Sequence, residues 1–127
     1  EMKIGDHASV TKTVSETDVY LFAGITGDLN PAHTNEVAAS KTMFKTRIAH
    51  GMLGAGFISA VLSMYLPGPG TIYMGQEPVH IGDTVTATAT VEEIILEKNR
   101  VILDTTVVNQ DGEVVIKGKA TVMPPKA

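Results

Sequence analysis

From His50 to Leu66 the chain reads His-Gly-Met-Leu-Gly-Ala-Gly-Phe-Ile-Ser-Ala-Val-Leu-Ser-Met-Tyr-Leu, without one charged side chain. A helix over this stretch is apolar on nearly every face, so burial all round is expected rather than a place at the surface. A membrane span usually needs about 20 predominantly apolar residues. This run is shorter, and it contains Ser59, Ser63 and the glycines at 51, 54 and 56. It therefore reads as a central helix wrapped by a sheet. Gly51, Gly54, Ala55 and Gly56 would let other backbone come close, and Pro67-Gly68-Pro69-Gly70 stops the helix abruptly.

The C-terminal half supplies the sheet. Thr84–Val91 alternates strictly between threonine and small or apolar residues, as a half-buried strand should. Val101–Val108 and Val114–Val122 are further β-rich runs, joined through a Gln110-Asp111-Gly112 turn that suits a hairpin. Thr71–Met74 reads as another strand. Ahead of the apolar run, residues 8–14 alternate like an edge strand. Ser15 then caps a helix over 16–25, with Glu16 and Asp18 in its first turn. A second short helix is expected to start near Thr34 or Asn35, and residues 42–49 read as irregular chain. The expectation is an α+β architecture, an antiparallel sheet around a long central apolar helix, in one domain spanning residues 1–127.

Composition narrows the function classes. Hydrophobic residues make up 43% and charged residues 19%, which suits a packed globular chain. The net charge of −4 argues against a nucleic-acid or anionic-membrane binder. The chain has no cysteine, which excludes disulfides, Cys-ligated zinc and thiol nucleophiles. Residues 1–6 carry no apolar signal segment, so the cytoplasm is the expected compartment.

The chemistry concentrates in Thr26-Gly27-Asp28-Leu29-Asn30-Pro31-Ala32-His33. Pro31 fixes its own φ and pushes Asn30 towards extended backbone, so a carboxylate and an imidazole are held on a constrained loop. Ionised Asp28 accepts hydrogen bonds, and neutral His33 both donates and accepts. Their ordinary pKa values, about 3.9 and 6.5, suit opposite acid and base roles on one water molecule. The plainer reading is an Asx-type turn at Asp28 and a helix cap at His33.

His50-Gly51-Met52 is the second feature. At the start of the apolar helix, the amide of Gly51 is an unpaired donor at the positive end of the helix dipole. Such an end can stabilise an oxyanion on a carbonyl, with His50 and Asn30 completing the substrate-binding group. Ser59, about two turns further along, faces either the core or the site. Asp28, His33 and His50 have the composition of a two-His-one-carboxylate iron site, but the spacing does not specify that geometry. Gly51, Gly54 and Gly56 do not form the dinucleotide fingerprint. Lys41, Lys45 and Arg47 read as solvated surface, and His7 and His80 likewise.

Together these stretches resemble the MaoC-like dehydratase family, most closely its (R)-specific enoyl-CoA hydratases of the hotdog fold. The likeness is carried by Phe22–His33, by Arg47–Met52, by Pro67–Gln76 and by Pro78–Asp83, and it covers nearly the whole chain. The resemblance implies reversible hydration of a trans-2-enoyl-CoA to an (R)-3-hydroxyacyl-CoA. Asp28 and His33 would hold the water, the Gly51 amide would polarise the thioester carbonyl, and Ser59 would order the active-site loop. It implies a homodimer or higher homo-oligomer taking acyl-CoA near the subunit interface, without metal or cofactor. Hotdog folds also host acyl-CoA thioesterases, and a non-catalytic acyl-thioester binding module is the third reading. One departure stands out. The family usually carries several residues between the Gly-Gln and Pro-Val pairs, where this chain has only Glu77. A shortened strand beside the central helix is the expected consequence, with effects on the acyl pocket and the CoA entrance.

Overall fold

The computed structural model describes residues 2–72 and 74–125. The chain divides into two compact units, Glu1–Ile72 and Tyr73–Ala127.

The first unit is helical. Helix α1, Glu16–Thr26, begins at Ser15, whose hydroxyl accepts from the Asp18 amide at 3.1 Å. The Asp18 carboxylate accepts in return from the Ser15 amide at 2.9 Å, which completes a capping box. The helix stops at Gly27, where φ of 80° suits a residue without Cβ, and the Gly27 amide reaches back to the Ala23 carbonyl at 2.9 Å.

The short helix expected to start near Thr34 or Asn35 is present, and a further short one precedes it. Helix α2, Pro31–Thr34, has proline at its first position, where the missing N–H costs nothing. Asn30 caps it by accepting from the Ala32 amide at 3.0 Å. Asn35 then leaves helical backbone (φ −132°, ψ 106°) and caps α3, Glu36–Ala39, through the Ala38 amide at 3.0 Å. Two capping asparagines five residues apart therefore give two helices rather than one. Residues 8–14 alternate in sequence but pair with no strand among the described residues. Alternation fits a strand and does not provide its partner.

Helix α4, Gly51–Met64, matches the expected apolar helix closely in extent. Within the helical unit its side chains are left uncovered. No α4 residue is buried, and Met52 and Ile58 are 74% and 63% exposed. Helices α1 to α3 pack on one another rather than along α4. Apolar composition records what a helix is suited to bury, not what covers it. The buried side chains of this unit are Val19, Ala23, Ala39 and His50. Among the described residues no helix is long and apolar enough to cross a membrane.

The second unit is a three-stranded antiparallel sheet in the order β1 (Thr86–Ile95), β2 (Arg100–Val108), β3 (Val114–Val122). Strand β1 starts two residues later than its alternation suggested and runs on through a bulge at Glu92. The β2–β3 hairpin closes at the expected turn. Gly112 sits at φ 77°, and the Asn109 side chain accepts from the Asp111 and Glu113 amides, both at 3.0 Å. Residues 71, 72 and 74 belong to no strand, and Tyr73, in the same expected strand, lies outside the described residues. The shortened stretch around Glu77 is likewise not a strand. It meets the sheet through a backbone bond from the Glu77 amide to the Val115 carbonyl at 2.9 Å.

Candidate active site

The site belongs wholly to the helical unit and is built by the loop after α1, helix α2 and the start of α4. Thr26 prepares the loop. Its hydroxyl donates to the Phe22 carbonyl at 2.8 Å and accepts from the Asp28 amide at 3.2 Å. One carboxylate oxygen of Asp28 accepts from the Asn30 amide at 3.3 Å, an Asx turn that leaves the other oxygen free. The local turn and a chemical role are thus compatible, because a carboxylate has two oxygens.

His33 rides on α2. Its Nδ1 lies 2.8 Å from the Ile48 carbonyl, and since a carbonyl only accepts, Nδ1 carries the proton and Nε2 keeps its lone pair. His50 is only 4% exposed. Its Nε2 donates to the Asp28 carbonyl at 3.0 Å, and its Nδ1 is buried without a partner among the described residues. The two imidazoles stack with centroids 3.9 Å apart, and Phe22 meets His50 edge-on at 4.9 Å. A carboxylate oxygen of Asp28 and one ring nitrogen each of His33 and His50 lie within 4.8 Å of one another.

This trio has the composition of a metal-binding set, and each ring has one nitrogen engaged by a carbonyl and one left over. The arrangement suits proton transfer to a small molecule held against Asp28 and His33.

The other residues singled out in the sequence fall as follows. Gly51 opens α4 directly after His50, with no positive φ and no atom within 4 Å of where a Cβ would stand. The backbone does not require glycine there, and a Cβ would meet open space. The Asn30 side-chain oxygen is occupied in capping α2. Ser59 is exposed and makes no hydrogen bond among the described residues.

Arg47 departs from the expected solvated basic surface. It pairs with Glu36 at 2.9 Å and Glu16 at 3.4 Å, and donates to the Tyr20 hydroxyl. The Thr46 hydroxyl and the Arg47 side chain and amide hold the Glu36 carboxyl below its usual range. A cleft of about 330 Å³ opens here, lined by Val14, Val19, Tyr20, Glu36 and Arg47 together with His33. Sequence reasoning missed Ile48, because its contribution is a backbone carbonyl with no signature in residue type.

A carboxylate and an imidazole on a capped loop beside a helix N-terminus are the parts from which an acid/base site can be built. The chain belongs to the MaoC-like dehydratase family: the MaoC like domain matches residues 3–113. It is 58% identical over 130 aligned positions to an (R)-specific enoyl-CoA hydratase of Rhodospirillum rubrum, covering 98% of this chain and 90% of that protein. A 3-hydroxybutyryl-CoA dehydratase of Methylorubrum extorquens is 46% identical, with coverage of 99% and 83%. Among solved structures, an (R)-hydratase from A. caviae involved in PHA biosynthesis superposes with a TM-score of 0.57 at 36% identity, covering 98% of both chains. The fold is the α+β hotdog fold. The first alignment is longer than the 127 residues of this chain, so it opens gaps in this chain.

Proposed function

We propose that this protein is an (R)-specific enoyl-CoA hydratase, a hydro-lyase that reversibly adds water to a trans-2-enoyl-CoA and gives the (R)-3-hydroxyacyl-CoA. One observation carries the reading. A carboxylate oxygen of Asp28 and a ring nitrogen of His33 lie within 4.8 Å of one another, and in the neutral ring the Ile48 carbonyl leaves His33 Nε2 as the open nitrogen. A water held between them is polarised from two sides. As its oxygen bonds to Cβ, its proton passes to this pair, and the pair returns a proton to Cα. The charge that develops on the thioester oxygen is stabilised by the Gly51 amide at the N-terminus of α4. His50 orients Asp28 through its carbonyl, Asn30 holds the loop, and Ser59 presents a free hydroxyl on the helix that receives the acyl group.

The same reading takes residues 1–127 as one domain, since the family match runs through both compact units. It takes the working molecule as a homodimer in the cytoplasm, acting in fatty-acid metabolism on acyl-CoA thioesters. The exposed apolar side chains of α4 support an oligomer, because a helix of this composition is stable when covered.

Offering (R)- and (S)-3-hydroxybutyryl-CoA separately tests the stereochemical claim. Only the (R) isomer should develop enoyl-thioester absorbance, with no free thiol. Dehydration of the (S) isomer would overturn the reading, and release of free CoA would point to hydrolysis.

A further inference from the structure

His33 is oriented by the carbonyl of Ile48, yet Ile48 lies on chain without regular secondary structure, three residues after Lys45 with its left-handed φ of 65°. Such a segment does not hold a carbonyl in place by itself. Two contacts hold this one. The Ile48 amide donates to the Ala32 carbonyl at 3.1 Å, next to His33 in sequence. The Glu36 carboxylate collects three donors from the two residues before Ile48. One oxygen accepts from the Thr46 hydroxyl at 2.7 Å, and the other from the Arg47 amide at 3.2 Å and Arg47 Nε at 2.9 Å. Glu36 sits at the first position of α3, three residues after His33, so one carboxylate ties the helical side of the site to the strip that orients the imidazole. Arg47 is braced in turn by Glu16 and by the Tyr20 hydroxyl of α1.

We propose that Glu36 is a positioning residue for the hydration reaction. By holding Thr46 and Arg47 it places the Ile48 carbonyl, and so sets the tautomer and direction of His33. The proposal rests on His33 serving as the acid/base group. Glu36 is half exposed (51%), so its importance lies in geometry rather than in the strength of one ion pair. Removing a group that fixes an imidazole typically lowers activity roughly ten- to hundredfold.

The test uses Glu36→Ala and, as a milder change that keeps one side-chain oxygen, Glu36→Gln. Thr46→Val removes a single donor and serves if both of these fail to fold. Nitrogen NMR of the imidazoles reads the tautomer without reference to turnover, and the four histidines of the chain make assignment practicable. Expected are a loss of the Nδ1–H tautomer at His33, a kcat for crotonyl-CoA hydration roughly ten- to hundredfold lower in Glu36→Ala with KM within about twofold, and partial recovery in Glu36→Gln. A folded variant with unchanged His33 nitrogen signals overturns the proposal, whatever its activity. A tautomer change with unchanged kcat overturns it as well. Absence of crotonyl-CoA turnover in the unmodified protein would instead count against the hydratase reading itself, and the tautomer measurement would still decide whether Glu36 places His33.

Discussion

At the residue scale, three substitutions separate chemistry from folding. Asp28→Asn keeps an oxygen to accept from the Asn30 amide, so the loop should stand while the base is lost. His33→Ala removes the imidazole and leaves the Asn30 cap intact. Each should lower kcat by about 10²–10⁴ with the far-UV circular dichroism unchanged. Gly51→Ala meets open space, so thermal stability should hold within about 1 kcal/mol. A methyl group before the helix-end amide should nevertheless cut kcat/KM by about tenfold or more. Near-normal steady-state kinetics in this variant would remove the helix end from the mechanism. The meeting of Asp28 with His33 was legible because proline and glycine constrain the loop between them. The parts that orient His33 were not legible. Ile48 contributes only a carbonyl, and Glu36 looks in sequence like any solvent-facing acid on a helix.

At the element scale, the capping box of α1 gives a pH prediction. Hydrogen bonds from Lys12 first, and then from the amide and hydroxyl of Ser15, lower the Asp18 carboxyl from its ordinary 3.8 to about 2. A carboxyl depressed in the folded state stabilises it above the unfolded pKa, and that stability is lost as pH falls through the folded value. The urea midpoint should therefore decline between about pH 4 and pH 2, and Asp18→Asn should flatten that decline. Ser15→Ala should cost about 1 kcal/mol at neutral pH in the same unfolding measurement. Elements with their own local signals were readable in sequence: α1 from its cap, α4 from its uncharged run, β2 and β3 from their β-rich runs and turn. Residues 8–14 misled because alternation carries no information about a partner. The helix at Pro31–Thr34 was missed because Pro31 was read only as constraining a loop, although proline is at home at the first position of a helix.

At the scale of the whole molecule, the proposed homodimer gives a prediction of mass. Met52, Ile58, Met64 and Tyr65 are all exposed, and covering such side chains is the main favourable term in forming a stable complex. Sedimentation or light scattering at micromolar concentration should give at least twice the mass of the chain, whereas a monomer would leave this surface without an explanation. The fold class was legible because the uncharged run and the strands after it leave few alternatives. The measurement closest to the central claim is the loss of enoyl-thioester absorbance when crotonyl-CoA is added to the protein. It should fall to an equilibrium that can also be reached from (R)-3-hydroxybutyryl-CoA, and it should be nearly static with Asp28→Asn or His33→Ala. A static trace with the unmodified protein, or equal rates with all three, would contradict the account.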